Sequence, residues 1–142
     1  AKHRNIKAMK DATDNIAYAM DVLTQTRDLD FDMYSGCDDN ILPFIAAGGK
    51  GVISVLSNLY PRETEKFAQA VLKGDMKLAQ EMAYDFNDVS KYLFVDVNPI
   101  MPKAALKKMG VCGEMVRRPL IPTTQANKQL LFDAMDKFEK KG

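Results

Sequence analysis

The chain has no tryptophan, one histidine and two cysteines among 142 residues. A lone histidine near the amino end, His3, reads as a solvated side chain rather than a ligand. Cys37 and Cys112 lie far apart and form no C-x-x-C pair, which argues against a metal site. A disulfide between them stays open on sequence, but two free thiols in a reducing cytosol is the simpler reading. No apolar run approaches the ~20 residues that a membrane span needs. The opening "AKHRNIKAMK" lacks a signal peptide's apolar centre and reads as running almost directly into a strand. A cytoplasmic location is therefore expected. Excess charge is missing too: 20 basic against 19 acidic side chains gives no electrostatic pull towards nucleic acid or an acidic membrane surface.

What remains has the apolar and charged content of a globular protein and enough length for an ordinary core. Three strand patterns alternate with three helix patterns. "NIKAMK" alternates as a short strand. "TDNIAYAMDVLTQT" follows with a polar cap region and apolar Ile16, Ala19, Met20 and Leu23 at helical spacing. "DFDMYSG" is a second strand, and "DDNILPFIAAGG" a helix with acids first and glycines last, Pro43 being tolerated in its first turn. "GVISVLS" is apolar on both faces, as expected of a parallel strand covered on both sides. Pro61 opens a third helix and Gly74 ends it.

Beyond Asp75 only helical periodicity remains. Met82, Phe86, Val89 and Leu93 mark one face of a long helix. "NPIMPKAALKKMG" predicts a shorter helix capped by Asn98, and "RRPLIPTT" an extended connector. Thr124 caps a last helix with an apolar stripe at Leu131, Met135 and Phe138. The expected division is residues 1–74 as three βα units and residues 75–142 as a helical region.

Three parallel strands leave two open edges, and a (β/α)8 barrel needs eight strands and ~250 residues. Either this is a small, unusual α/β domain or the rest of its sheet is elsewhere. Lys10 then stands out. It closes the first strand on the face that carries Ile6 and Ala8, and α/β barrels place their chemistry at strand carboxyl ends. Such a lysine can be a surface residue, a salt-bridge partner or a nucleophile. An apolar floor of Ile6 and Ala8 would disfavour the ammonium form and leave free amine to condense with a ketone.

"IKAMKDATDN" resembles the I-x-A-x-K-E-A-[ST]-G-N segment of dihydrodipicolinate synthase and related pyruvate aldolases. "MYSGCDDNILPFIAAGGKGVISVLSNLYP", "NPIMPKAALKKMG" and "RRPLIPTT" are similar to later segments of the same family, in order and spacing. "GGKGVISVLSN" favours the synthase over sialic-acid lyases. The resemblance implies an α/β fold, the last three βα units of a TIM barrel followed by a helical region. It implies that Lys10 forms a Schiff base with pyruvate, and that the enamine attacks aspartate semialdehyde on the route to diaminopimelate and lysine. Gly36 and the backbone carbonyl of Ile53 match positions lining the pyruvate pocket. No metal or organic cofactor is implied. The implied partners are the amino-terminal half of the same enzyme and further copies in a homotetramer.

The chain departs from the pattern at three places. Asp14 replaces a glycine, Lys7 an apolar residue, and Cys37 a polar residue beside the pocket, where a partly buried free thiol is expected. The family's proton-relay tyrosine and threonine, its carboxylate-binding arginine and most of its lysine-inhibitor site belong to the amino-terminal half. "GGKG" precedes a strand instead of opening a helix, so it is not a phosphate loop. Two rival functions remain on sequence: a Schiff-base aldolase with another acceptor, such as sialic-acid lyase, or a non-catalytic α/β module binding a protein partner.

Overall fold

The computed structural model describes Ala1 and residues 3–141. Its three strands are β1 (Ala8–Asp11), β2 (Asp32–Ser35) and β3 (Gly51–Val52), parallel and in the order β1-β2-β3. β1 and β3 each pair with one neighbour, so both outer edges of this sheet are free among the described residues. The six α-helices are α1 (Ile16–Thr26), α2 (Ile41–Ala46), α3 (Pro61–Leu72), α4 (Met76–Leu93), α5 (Ile100–Lys108) and α6 (Gln125–Glu139). The βαβαβα order and the helical second half match the sequence pattern.

Local chemistry fixes most boundaries. Asn15, Asp75 and Thr124 accept hydrogen bonds from Tyr18, Leu78 and Asn127 backbone N–H groups, satisfying donors that a helix start leaves free. Pro61 occupies the first turn of α3. Gly74, at φ 77°, takes the left-handed conformation that ends α3. Asp14, where the resembling pattern has glycine, also takes a left-handed conformation, at φ 57°, which aspartate tolerates better than most residues.

Four expectations need correction. The first strand runs from Ala8 to Asp11 rather than from Asn5 to Lys10. The third strand is two residues long, not seven. The Ile53 N–H still reaches Ser35 O, but the next donors are diverted: Val55 and Leu56 N–H groups both bond Asp38 Oδ2, and a 3-10 turn at Leu56–Asn58 follows. The helix expected over 38–49 is a 3-10 turn at Asp38–Asn40 and then the short α2. Asn98 does not cap α5; Pro99 holds that position without a side-chain bond, and Ile100 N–H bonds Val97 O.

Packing is one-sided at the sheet. Met33 is sealed with Ala19 and Phe44, with Met9, Ile16, Val22, Leu23 and Phe31 around them, so α1 and α2 cover one face. The larger core runs without a break across residue 74. Ile41, Leu56 and Phe67 share it with Phe86, Val89, Leu93, Met101, Leu131 and Met135. Phe86 stacks on Phe138 at 4.5 Å between ring centroids, joining α4 to α6. Tyr60 donates to Glu139 Oε1 at 2.8 Å, tying the start of α3 to the end of α6. Burial and this bond to a carboxylate push the Tyr60 hydroxyl well above its ordinary range.

Candidate functional site

The strand register decides which side chains share a face, because the pleat alternates them. Ala8 pairs with Asp32, Lys10 with Tyr34, and Tyr34 with Gly51. Continuing two residues along places Gly36 and Ile53 on that same face. Met9, Met33 and Val52 lie on the other, beneath the helices. Lys10, Gly36 and Ile53 are thus brought to one face of the sheet, at its carboxyl end.

That face carries no covering layer. Ile6 is 53% exposed, Ile53 is 49% exposed, and Ala8 and Lys10 are exposed as well. The dry apolar floor expected beneath Lys10 is therefore not formed by these residues alone; among the described residues they stay exposed. Lys7, the unusual charge before β1, ion-pairs with Asp30 at the surface.

Lys10 nevertheless does not trail away from the site. Gly36 N–H donates to Asp11 O at 2.6 Å, pinning the end of β2 to the residue after the lysine. The lysine stem then lies across Gly36. A Cβ built on Gly36 would stand 2.6 Å from Lys10 Cε, 2.7 Å from Ala12 Cβ and 3.0 Å from Asp11 O. Gly36 and Ala12 also line a cleft of about 510 Å³, whose other walls are Cys37, Asp14 and Asp39 on the loops and Asn87, Ser90, Lys91 and Phe94 on α4. The helical half of the chain thereby forms one wall of this cleft, whose lining includes Gly36 but neither Lys10 nor Ile53.

Cys37 is half-buried and Cys112 exposed, and both are free thiols. Burial raises the Cys37 thiol above its usual range. The Asp14 backbone N–H opposes this, while the carboxylates of Asp14, Asp39 and Asp11 add to it. Burial likewise pushes the Asp39 carboxyl up, with Asp14 contributing. Ligand atoms of Asp14, Cys37 and Asp39 fall within 4.8 Å of one another. Asp14 Oδ1 already accepts a hydrogen bond from Asn40 Nδ2 at 2.6 Å.

Two residues here were read in the sequence only as helix-start acid and strand end. Asp38 is 3% exposed; its Oδ2 accepts the Val55 and Leu56 N–H groups at 3.0 and 2.9 Å, while its buried Oδ1 has no hydrogen-bond partner. It fastens the end of β2 to the segment that follows Ile53. Ser35 Oγ accepts the Cys37 N–H and donates to Cys37 O, fixing the turn after Gly36. The signal was present in "SGCDD", a hydroxyl and an acid flanking a glycine at a strand end.

The model of the dihydrodipicolinate synthetase family matches residues 1–137. A 4-hydroxy-tetrahydrodipicolinate synthase from Exiguobacterium sibiricum is 40% identical over 139 residues, which are 98% of this chain and 47% of that protein. The crystal structure of dihydrodipicolinate synthase from Aquifex aeolicus superimposes with a TM-score of 0.90 at 35% identity, over 97% of this chain and 47% of that one. The Acinetobacter baumannii enzyme, solved in complex with pyruvate, gives 0.92 at 25% identity, over 97% and 47%. The chain spans about half the length of the relatives it matches.

Proposed function

The chain belongs to the dihydrodipicolinate synthetase family, and from that membership and the placing of Lys10 we propose that it carries the imine-forming half of a pyruvate aldolase. The observation that carries this reading is the lysine stem crossing Gly36 at the carboxyl end of β2, with Ile53 on the same uncovered face. The three βα units are the last three of a (β/α)8 barrel, and residues 75–142 are the helical region appended to it. The open face and both free edges are then where the amino-terminal half of the enzyme docks, which also covers Ile6 and Ala8.

The chemistry follows from an amine facing a keto acid. Nζ of Lys10, as free base, adds to C2 of pyruvate, and loss of water from the carbinolamine leaves the imine. Loss of a proton from the pyruvate methyl group gives an enamine, with the protonated imine nitrogen as the electron sink. The enamine carbon attacks the aldehyde of aspartate semialdehyde, the amine of the adduct closes the ring, and Lys10 is released. Gly36 and the Ile53 carbonyl line the pyruvate site, and the proton relay and carboxylate clamp come from the other half. The complete enzyme is a cytoplasmic homotetramer in the lysine and diaminopimelate route. The lysine does this work without a metal or organic cofactor. A pyruvate complex of a relative supports the choice of keto acid.

Incubating the complete enzyme with pyruvate, reducing with borohydride and mapping by mass spectrometry tests this directly. The expected product is a carboxyethyl group on Lys10, absent in Lys10→Ala. Lys10→Arg fails as well, because guanidinium stays protonated. An unmodified Lys10 in a folded, complete enzyme, or substantial turnover by either variant, would overturn the reading.

A further inference from the structure

Gly36 has a feature that lining a substrate pocket does not require. Its φ lies outside the left-handed region, so the backbone itself would accept any residue there. What forbids a side chain is local: the Lys10 stem, the Ala12 methyl group and the Asp11 carbonyl crowd the space a Cβ would fill. Two of those three groups, Ala12 and Asp11, are held by the chain. Asp11 is locked in β1, with its carbonyl accepting the Gly36 N–H and its Oδ1 accepting the Thr13 N–H at 2.9 Å. The third, Lys10 Cε, is the flexible one, and it is one bond from the reacting nitrogen.

Resting on the Schiff-base reading above, we infer that Gly36 is a positioning residue for the nucleophile: its bare Cα is the channel through which the Lys10 stem runs to deliver Nζ to the keto carbon. A methyl group at 36 displaces Cε, because the lysine yields more easily than β1 does. Nζ moves with it. Displacement of a reacting atom by about 1 Å can cost on the order of a hundredfold in rate. The effect falls on imine formation, before any acceptor aldehyde is involved.

The experiment compares three variants of the complete enzyme with its parent: Gly36→Ala, Ala12→Gly, and the two together. Pyruvate is titrated, borohydride trapping at Lys10 is followed over time, and thermal unfolding is recorded for each. The double variant removes the Ala12 clash and leaves the contacts with the Lys10 stem and the Asp11 carbonyl; a loss of trapping rate without a loss of unfolding temperature then separates displacement of the amine from crowding against β1. In Gly36→Ala, and in the double variant relative to Ala12→Gly, the limiting trapping rate is expected to fall about 10- to 100-fold. Half-saturating pyruvate should shift by less than about twofold, since binding of the keto acid is not what is lost. Recovery of the Ala12→Gly rate by the double variant would overturn the inference. So would a raised half-saturation with an unchanged limiting rate, which would make Gly36 a pocket wall only. A parent enzyme that leaves Lys10 unlabelled overturns the Schiff-base reading itself, and this inference with it.

Discussion

On one side of the sheet Met33 and Phe44 are sealed under α1 and α2, while on the other Ile6, Ala8, Lys10 and Ile53 stand exposed. The same short strands supply both faces, so the difference is not one of propensity. It lies in what each face has been given to pack against. The helical elements close their own core, with Phe86, Leu131 and Met135 almost wholly buried. The residues placed at the candidate site are on the side this chain leaves open. On the proposed barrel reading this face is finished only when the sheet closes on itself, and three strands cannot do that. Stability and chemistry are therefore drawn from opposite sides of one layer.

The sharpest way to break this contrast is to truncate one apolar side chain on each side. Phe86→Ala empties a site shared with Tyr60, Phe67 and Phe138, and is expected to cost about 3–5 kcal/mol in chemical denaturation. Ile6→Ala in the same chain should stay within about 0.5 kcal/mol. With the amino-terminal half present, Ile6→Ala is expected to become more costly. Equal costs for the two variants in the 142-residue chain would show that the open face is not open.

Asp38→Ala should have the next largest effect. It strips the acceptor from two backbone N–H groups, one of them buried, for an expected loss of about 2–4 kcal/mol. Because those donors follow Ile53, hydrogen exchange of the Val55 and Leu56 amides should speed up more than that of Met33. Uniform change across all three amides would deny Asp38 its role as the fastening between the β2 and β3 ends.

Much of this was legible beforehand, and the failures share a cause. Thr124, Gly74 and the polar region before Ile16 marked helix ends because caps and left-handed stops are decided by neighbours in sequence. Lys10 stood out because strand alternation and its end can be read locally. The true length of β3 was hidden, since Asp38 captures the strand's donors from 17 and 18 residues away. Alternation also put Ile6, Ala8 and Lys10 together without saying what covers them, so a dry floor was expected where the chain leaves an exposed one. At Asp14, a departure from a glycine pattern, the backbone is left-handed and the side chain bonds Asn40, a partner 26 residues away that the local sequence does not announce.

The smallest expected effect concerns Cys37. A raised thiol has less thiolate at any given pH below its own titration, so at pH 8 alkylation by iodoacetamide should be slower at Cys37 than at the exposed Cys112. Asp14→Gly removes one of the carboxylates that raise it while leaving a backbone N–H in place. That variant should speed Cys37 alkylation, and its rate–pH curve should move to lower pH. A curve that stays in place would remove Asp14 from the causes, leaving burial with Asp39 and Asp11. Stability of Asp14→Gly should change by no more than about 1 kcal/mol, the relieved positive φ offsetting the lost Asn40 bond.

Side-by-side pyruvate trapping in the isolated 142-residue chain and in the complete enzyme tests the central claim most directly. The account predicts rapid, selective labelling of Lys10 when both halves are present, and slow labelling no better than at other exposed lysines when only this chain is. Equal labelling of Lys10 in both forms, or none in the complete enzyme, would contradict it.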